Sequence, residues 1–155
     1  MESSLVIPHR PDLSWSDKVA YLAWKISQNG GAKSDDFEVK HIFEKGIYIR
    51  EFELPEKFVF IGRVHRKGHM VELLYGSANL ITERGSKTYS AIDRIKTPAG
   101  FQTVAYTLTP CIVRSVHENP SESRDILELE NEFFGPVQPI LDRGSQVMQS
   151  LQESL

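Results

Sequence analysis

From residue 37 to residue 117 the chain repeats one pattern, short runs rich in Val, Ile, Phe, Tyr and Thr, each closed by turn-forming residues. The runs are FEVKHIF, GIYIREFEL, KFVFIGRVH, HMVELLY, ANLITE, KTYSAID, RIKT, QTVAYTL and CIVRSVH. Between them stand Lys45-Gly46, Pro55-Glu56, Lys67-Gly68, Gly76-Ser77, the stretch from Glu83 to Ser86, Pro98-Ala99-Gly100 and Thr109-Pro110. Strands recurring at about 8 to 12 residues predict an antiparallel sandwich or small barrel. No helical period lies between them, so a parallel sheet of βαβ units is excluded.

The flanks follow a different period. Ser14 with Asp17 three residues on resembles a capping box, and Trp15, Val19, Leu22 and Ile26 then mark one helical face up to a stop at Asn29-Gly30-Gly31. Tyr21 and Trp24 lie off that face and are expected to pack on the outside of the sheet. After His117, Ser121 or Ser123 can cap a helix striped by Ile126, Leu129 and Phe133 and ended by Gly135-Pro136. The tail places Val147, Met148, Leu151 and Leu155 at helical spacing, which suits either a helix on a partner subunit or a frayed end. The expected organisation is an N-terminal arm and helix over 1–36, a β-barrel over 37–118, and a C-terminal helix and tail over 119–155. His9, in the proline-bearing arm, is read as a solvated loop residue.

Charge and cysteine usage narrow the function classes. A formal net charge of −3 argues against a duplex nucleic-acid binder working by phosphate neutralisation. The single cysteine, Cys111, sits in the apolar run CIV, excludes an internal disulfide and fits a reducing compartment. No stretch approaches the ~18 apolar residues of a membrane span, and MESSLVIPHR lacks the basic-then-apolar order of a secretory signal. A cytoplasmic location is expected, with no membrane partner.

Chemistry concentrates in IGRVHRKGHMVELLYG, residues 61–76. If 58–65 is one strand, Arg63 and His65 share a face, because strand side chains alternate. His69 opens the next run on a face with Val71, Leu73 and Tyr75. This stretch, with GIYIREFELP before it and KTPAGFQTVAYTL and RSVHENP after it, resembles the small single-domain cupin-like proteins of tailed phages. The resemblance covers about residues 37–134. It implies a mainly β fold, a cupin or jelly-roll barrel with flanking N-terminal and C-terminal helices. Against the general cupin motifs, Gly76 is the closing glycine of the first motif, His65 its second histidine and Pro98 and Gly100 the turn of the second. Arg63 replaces the first histidine, His69 stands at the glutamate position, and Thr103 stands where the second motif has its histidine. His117 ends the last strand as in the phage family, on one face with Cys111, Val113 and Ser115.

His65, His69 and His117 are therefore the candidate catalytic residues, and three readings of them stay open. As a metal site they would leave a position open for water or substrate on zinc, iron, manganese or nickel. As a metal-free acid–base site they would move protons at neutral pH, with Arg63 clamping a carboxylate or phosphate; no cofactor is then required. As structural residues they would satisfy backbone groups, as is expected of His41. The expectation adopted is acid–base chemistry on a small anionic, phosphate-bearing substrate, with a cyclic nucleotide signal of host defence suggested by the phage resemblance. A non-catalytic nucleotide sponge or structural oligomer is the rival. Tyr48 and Arg50, which share a strand face, together with Thr103 and Tyr106, complete the candidate substrate-binding set. The resemblance also implies a homo-oligomer, most simply a dimer, acting in the host cytoplasm.

Overall fold

The computed structural model describes residues 12–28, 38–135 and 138–153. His9, the Asn29-Gly30-Gly31 stop, Phe37, Pro136 and Leu155 lie outside them. The chain divides into two compact units, one spanning Ser34–Gly135 and the other combining Met1–Lys33 with Pro136–Leu155.

The first unit is a jelly-roll barrel. Its strands are β1 (Lys40–Glu44), β2 (Ile47–Leu54), β3 (Val59–Ile61), β4 (His69–Tyr75), β5 (Ser77–Thr82), β6 (Gly85–Ser90), β7 (Arg94–Thr97), β8 (Val104–Thr107) and β9 (Cys111–Glu118). They form two sheets, ordered β1-β2-β9-β4-β7 and β3-β8-β5-β6. Every pairing is antiparallel. Apart from the β1–β2 and β5–β6 hairpins, each connection passes from one sheet to the other, as in a double-sheet jelly roll. Every strand-like run of the sequence is a strand here. The exception in extent is β3, which ends at Ile61, so Arg63 and His65 are not two alternate positions of one strand. His65 instead forms an isolated bridge with Phe134, because residues 62–64 leave the sheet to meet the chain at 133–135.

Gly76 shows why β4 must close on glycine. Its φ is +90°, and a Cβ there would overlap the Pro110 carbonyl oxygen and lie 2.6 Å from Thr109 Oγ1. Only glycine combines the left-handed backbone with that approach.

Alternation splits the five-stranded sheet into two chemistries. One face carries Lys40, Glu51, Arg114, Glu72 and Arg94 in a single cross-strand row. The other faces the barrel interior, where Leu54, Leu73, Ala78 and Cys111 form one buried cluster with Phe52, Phe60 and Val113 packed on it. A second cluster, Tyr48, Leu129, Phe133 and Phe134, joins β2 to helix α2 (Ile126–Phe133). That helix is capped by Asp125, whose side chain accepts from Glu128 N, and not by either serine; Ser123 Oγ accepts from Asp125 N instead.

The second unit holds α1 (Trp15–Gln28) and α3 (Gln138–Glu153). Ser14 caps α1 by accepting from Asp17 N at 3.1 Å. The tail is a full helix packed on α1, which corrects the expectation of a frayed end or a helix reserved for a partner. Gly144 permits the approach, since a Cβ there would collide with the Ala20 carbonyl and lie 2.6 Å from Trp24 Cβ. Trp24 therefore meets α3, where a sheet was expected. Arg143 donates to both carboxylate oxygens of Asp17, at 2.8 and 2.9 Å. No helix among the described residues is long and apolar enough to cross a membrane.

Candidate functional site

The barrel register brings the three histidines together. Tyr48 pairs with His117 across β2 and β9, and Met70 pairs with Val116 across β9 and β4. One more step of that register sets His69 opposite His117, and His69 pairs with Thr97 on β7. His65 arrives from the loop after β3. The ring centroids of His65 and His69 are 3.6 Å apart, and His117 lies 5.2 Å from each.

The connection from α2 closes the barrel beside this cluster. Arg66 N donates to Phe133 O at 2.8 Å and Gly135 N to Val64 O at 3.2 Å. Phe133 stacks on His117 at 4.7 Å, and Phe134 meets His65 edge-on at 4.7 Å. The guanidinium groups of Arg63 and Arg50 lie over the Phe134 ring, 4.5 and 4.6 Å from its centre. Arg63 also donates to Gly135 O at 3.2 Å.

His65 is 9% exposed and His117 2%. Among the described residues, His65 Nε2, His69 Nδ1 and His117 Nε2 have no hydrogen-bond partner. His65 Nδ1–H donates to Arg63 O at 2.9 Å, which leaves its Nε2 as the bare lone pair. Burial pushes His65 and His117 down to about 3, with a neighbouring imidazole adding to each shift. Burial alone holds His69 at about 4. The three rings are thus neutral at physiological pH. A buried polar atom left without a hydrogen bond costs about 1–3 kcal/mol, and three such nitrogens meet here among the described residues.

A cavity of about 380 Å³ opens on this cluster. His65, His69, Arg63 and Thr103 line it, and His117 does not, lying behind the other two against Phe133. Tyr48, Arg50 and Tyr106 stand elsewhere. Tyr48 is fully buried between Phe43, Phe133 and His117 and shares a 2.7 Å hydrogen bond with His41 Nδ1. Burial pushes its hydroxyl up to about 12. Arg50 lies 3.8 Å from Glu130. Ala105 and Thr107 line the cavity while Tyr106 between them does not, as alternation requires. The sequence reading missed Phe134, which contacts two of the histidines, and also Arg84 and Lys87, which line the cavity. Phe134 carries no local signal, since its role comes from a bridge to His65. The two cations are visible as basic residues beside Gly85, but only the barrel turns them to one space.

Three neutral imidazoles with bare nitrogens have the donor chemistry for a borderline divalent metal. As the rings stand, no three His, Cys, Asp or Glu side chains among the described residues are arranged to hold one. The cause is the stacking of His65 on His69, at 15° between planes, which keeps their in-plane lone pairs from converging. Convergence on one ion would require one of those two rings to turn about its Cβ–Cγ bond, a broad torsion for histidine.

No protein-family model matches the chain, and no curated protein matches its sequence. Solved structures do match in shape. A double-stranded β-helix protein from Klebsiella pneumoniae aligns with TM-score 0.48 at 13% identity, over 59% of this chain and 84% of that one. A cupin 2 conserved barrel domain protein from Salinispora arenicola aligns at 0.46 and 10%, over 74% and 87%. A cupin-2 domain protein from Shewanella frigidimarina aligns at 0.45 and 11%, over 52% and 79%. The strand order establishes the barrel independently of these likenesses, and no residue role is taken from them.

Proposed function

We propose that this barrel is a metal-dependent, cupin-type enzyme acting on a small organic anion, with His65, His69 and His117 as the protein ligands. The observation that carries the reading is the meeting of three buried imidazole nitrogens, each without a partner among the described residues, beside a cavity. A divalent cation held there would act as a Lewis acid toward a substrate oxygen. The chain's own residues do the rest. The Arg63 carbonyl fixes the His65 tautomer, and Phe133 and Phe134 hold His117 and His65 in place. Arg63, secured by Phe134 and Gly135, presents positive charge to an anion in the cavity. Apolar walls exclude water and strengthen that attraction.

Metal analysis of protein purified without chelator tests the reading. Near-stoichiometric zinc, iron, manganese or nickel, lost in His65→Ala and His117→Ala, is expected. Metal-free protein that also fails to take up any of these ions would overturn it.

The acid–base expectation keeps one observation in its favour, Arg63 lining the cavity next to His65. It needs a protonated imidazole, and burial opposes that at all three rings. A phosphate dianion between them would oppose the burial effect and raise the affinity for a proton. Cleavage of a cyclic nucleotide in the presence of EDTA would establish this reading in place of the metal one. Intact nucleotide recovered after heat release would identify a sponge. The tailed-phage resemblance adds the setting for either nucleotide reading, the cytoplasm of an infected host.

A further inference from the structure

The cavity's two ends differ in chemistry. Toward the Leu54–Cys111 and Ala78–Thr107 pairs the lining is Phe52, Leu54, Leu73, Ala78, Cys111 and Val113, most of it the buried cluster described above. Toward the end where β3 and β4 meet the Gly62–Gly68 loop, the lining is Arg63, His65, His69, Thr97 and Thr103. Arg84 and Lys87 also line it and are exposed to solvent. Arg84 lies over the Phe101 ring at 5.3 Å and Lys87 over Tyr89 at 5.1 Å, so both stems run along the cavity's aromatic wall. Among the described residues no aspartate or glutamate lines the space, although the chain as a whole has a formal charge of −3. A cavity with three cations and no carboxylate among its described lining, in an acidic chain, is selective by charge, and its apolar floor is selective by hydrophobicity.

From this segregation we infer that the cavity takes an amphipathic organic anion, tail inward. A carboxylate or phosphate head lies at the Arg63 and histidine end, and a hydrocarbon body reaches the Leu54–Leu73–Ala78 floor. The inference rests on the proposed function for what happens to the head, and it names the substrate class of that same site. A polar nucleotide base would leave its hydrogen-bonding groups unmet on that floor, at about 1–3 kcal/mol each. A straight alkyl or aromatic body leaves none. Two sources share the head chemistry, carboxylic acids and phosphate monoesters, and the probes separate them.

The test is calorimetric titration of the full chain with butyrate, hexanoate, octanoate, octyl phosphate, octanol, octyltrimethylammonium and cyclic AMP, with metal content measured on each protein batch. Affinity is expected to rise about threefold per methylene from butyrate to octanoate, the order given by methylene burial. Octanol and octyltrimethylammonium are expected to bind at least tenfold more weakly than octanoate. Octyl phosphate tighter than octanoate would assign the head as phosphate, and the reverse as carboxylate. Arg84→Glu/Lys87→Glu changes only exposed side chains, so the fold is retained; it should weaken octanoate tenfold or more and leave octanol unchanged. Leu80→Trp, on the wall, should shorten the longest chain that gains affinity. No dependence on chain length, octanol binding as well as octanoate, or cyclic AMP binding tighter than octanoate would each overturn the inference. Length-dependent anion binding by protein that neither holds nor takes up any of these metal ions would overturn the proposed metal site alone, and stoichiometric metal without such binding would overturn the ligand class alone.

Discussion

Two rows of side chains cross the five-stranded sheet on opposite faces, and they are finished differently. On the outer face Lys40, Glu51, Arg114, Glu72 and Arg94 alternate in sign from strand to strand. Three ion pairs form along the row, Lys40 to Glu51 at 3.5 Å, Arg114 to Glu51 at 2.6 Å and Arg94 to Glu72 at 3.4 Å. Opposite charges placed directly across a pair are the sheet's ordinary stabilising unit. On the inner face the row Tyr48, His117, His69 and Thr97 brings imidazoles together with nitrogens that nothing among the described residues meets. The outer row is completed within the sheet, whereas the proposed site is the inner row, where buried polar atoms lack partners among the described residues.

The comparison can be broken most forcefully at the packing behind the inner row. Phe133 is 2% exposed and stacks on both Tyr48 and His117. Phe133→Ala should cost about 3–5 kcal/mol of unfolding free energy, read by urea denaturation. A loss below about 1 kcal/mol would mean that α2 does not close the barrel as described. Next comes His117. In metal-free protein His117→Phe removes a buried nitrogen that has no partner among the described residues while keeping a ring on Phe133, so stability should hold or rise by about 1 kcal/mol. Metal uptake should fall by more than the roughly tenfold to hundredfold that loss of a supporting partner costs. A destabilised, metal-competent variant would make the inner row structural.

The outer row should respond in the opposite sense. Glu51→Gln is expected to cost about 1 kcal/mol at pH 7 with no effect on metal uptake. Its hydrogen bond from Arg114 holds the Glu51 carboxyl below its ordinary range, with the Lys40 charge acting the same way. A depressed carboxylate binds fewer protons folded than unfolded, so its contribution is present above the unfolded value and is lost as pH falls through the folded one. The difference between wild type and Glu51→Gln should therefore shrink as pH falls from about 5 toward 3. The smallest effect is expected at Arg94, whose side chain is 70% exposed; Arg94→Ala should change stability by less than about 0.5 kcal/mol.

Much of this was legible in sequence because it depends on short-range grammar. Alternation and turn residues located the strands, and the glycine at Gly76 marked a place where the chain must turn tightly. Local patterning could not show that β3 stops at Ile61, since the cause is a bridge from His65 to Phe134, 69 residues later. The cap of α2 was placed on a serine because Ser, Asp and Asn cap alike, and Asp125 is the residue in position. The candidate site was half visible. His65 and His69 are neighbours in sequence, but His117 joins them only through the register of β9 between β2 and β4. Tyr48 and Arg50 share an inward face as expected, but α2 covers them, and helix docking leaves no periodic trace in the strand it covers.

The account stands on His65, His69 and His117 acting as one unit. The most direct measurement is the visible absorption of the protein titrated with Co²⁺, in wild type and in the three single alanine variants. A d–d band saturating at one cobalt per chain, and abolished in every variant including His117→Ala, is the predicted result. A band that persists in His117→Ala, or no band in a correctly folded wild type, would contradict it.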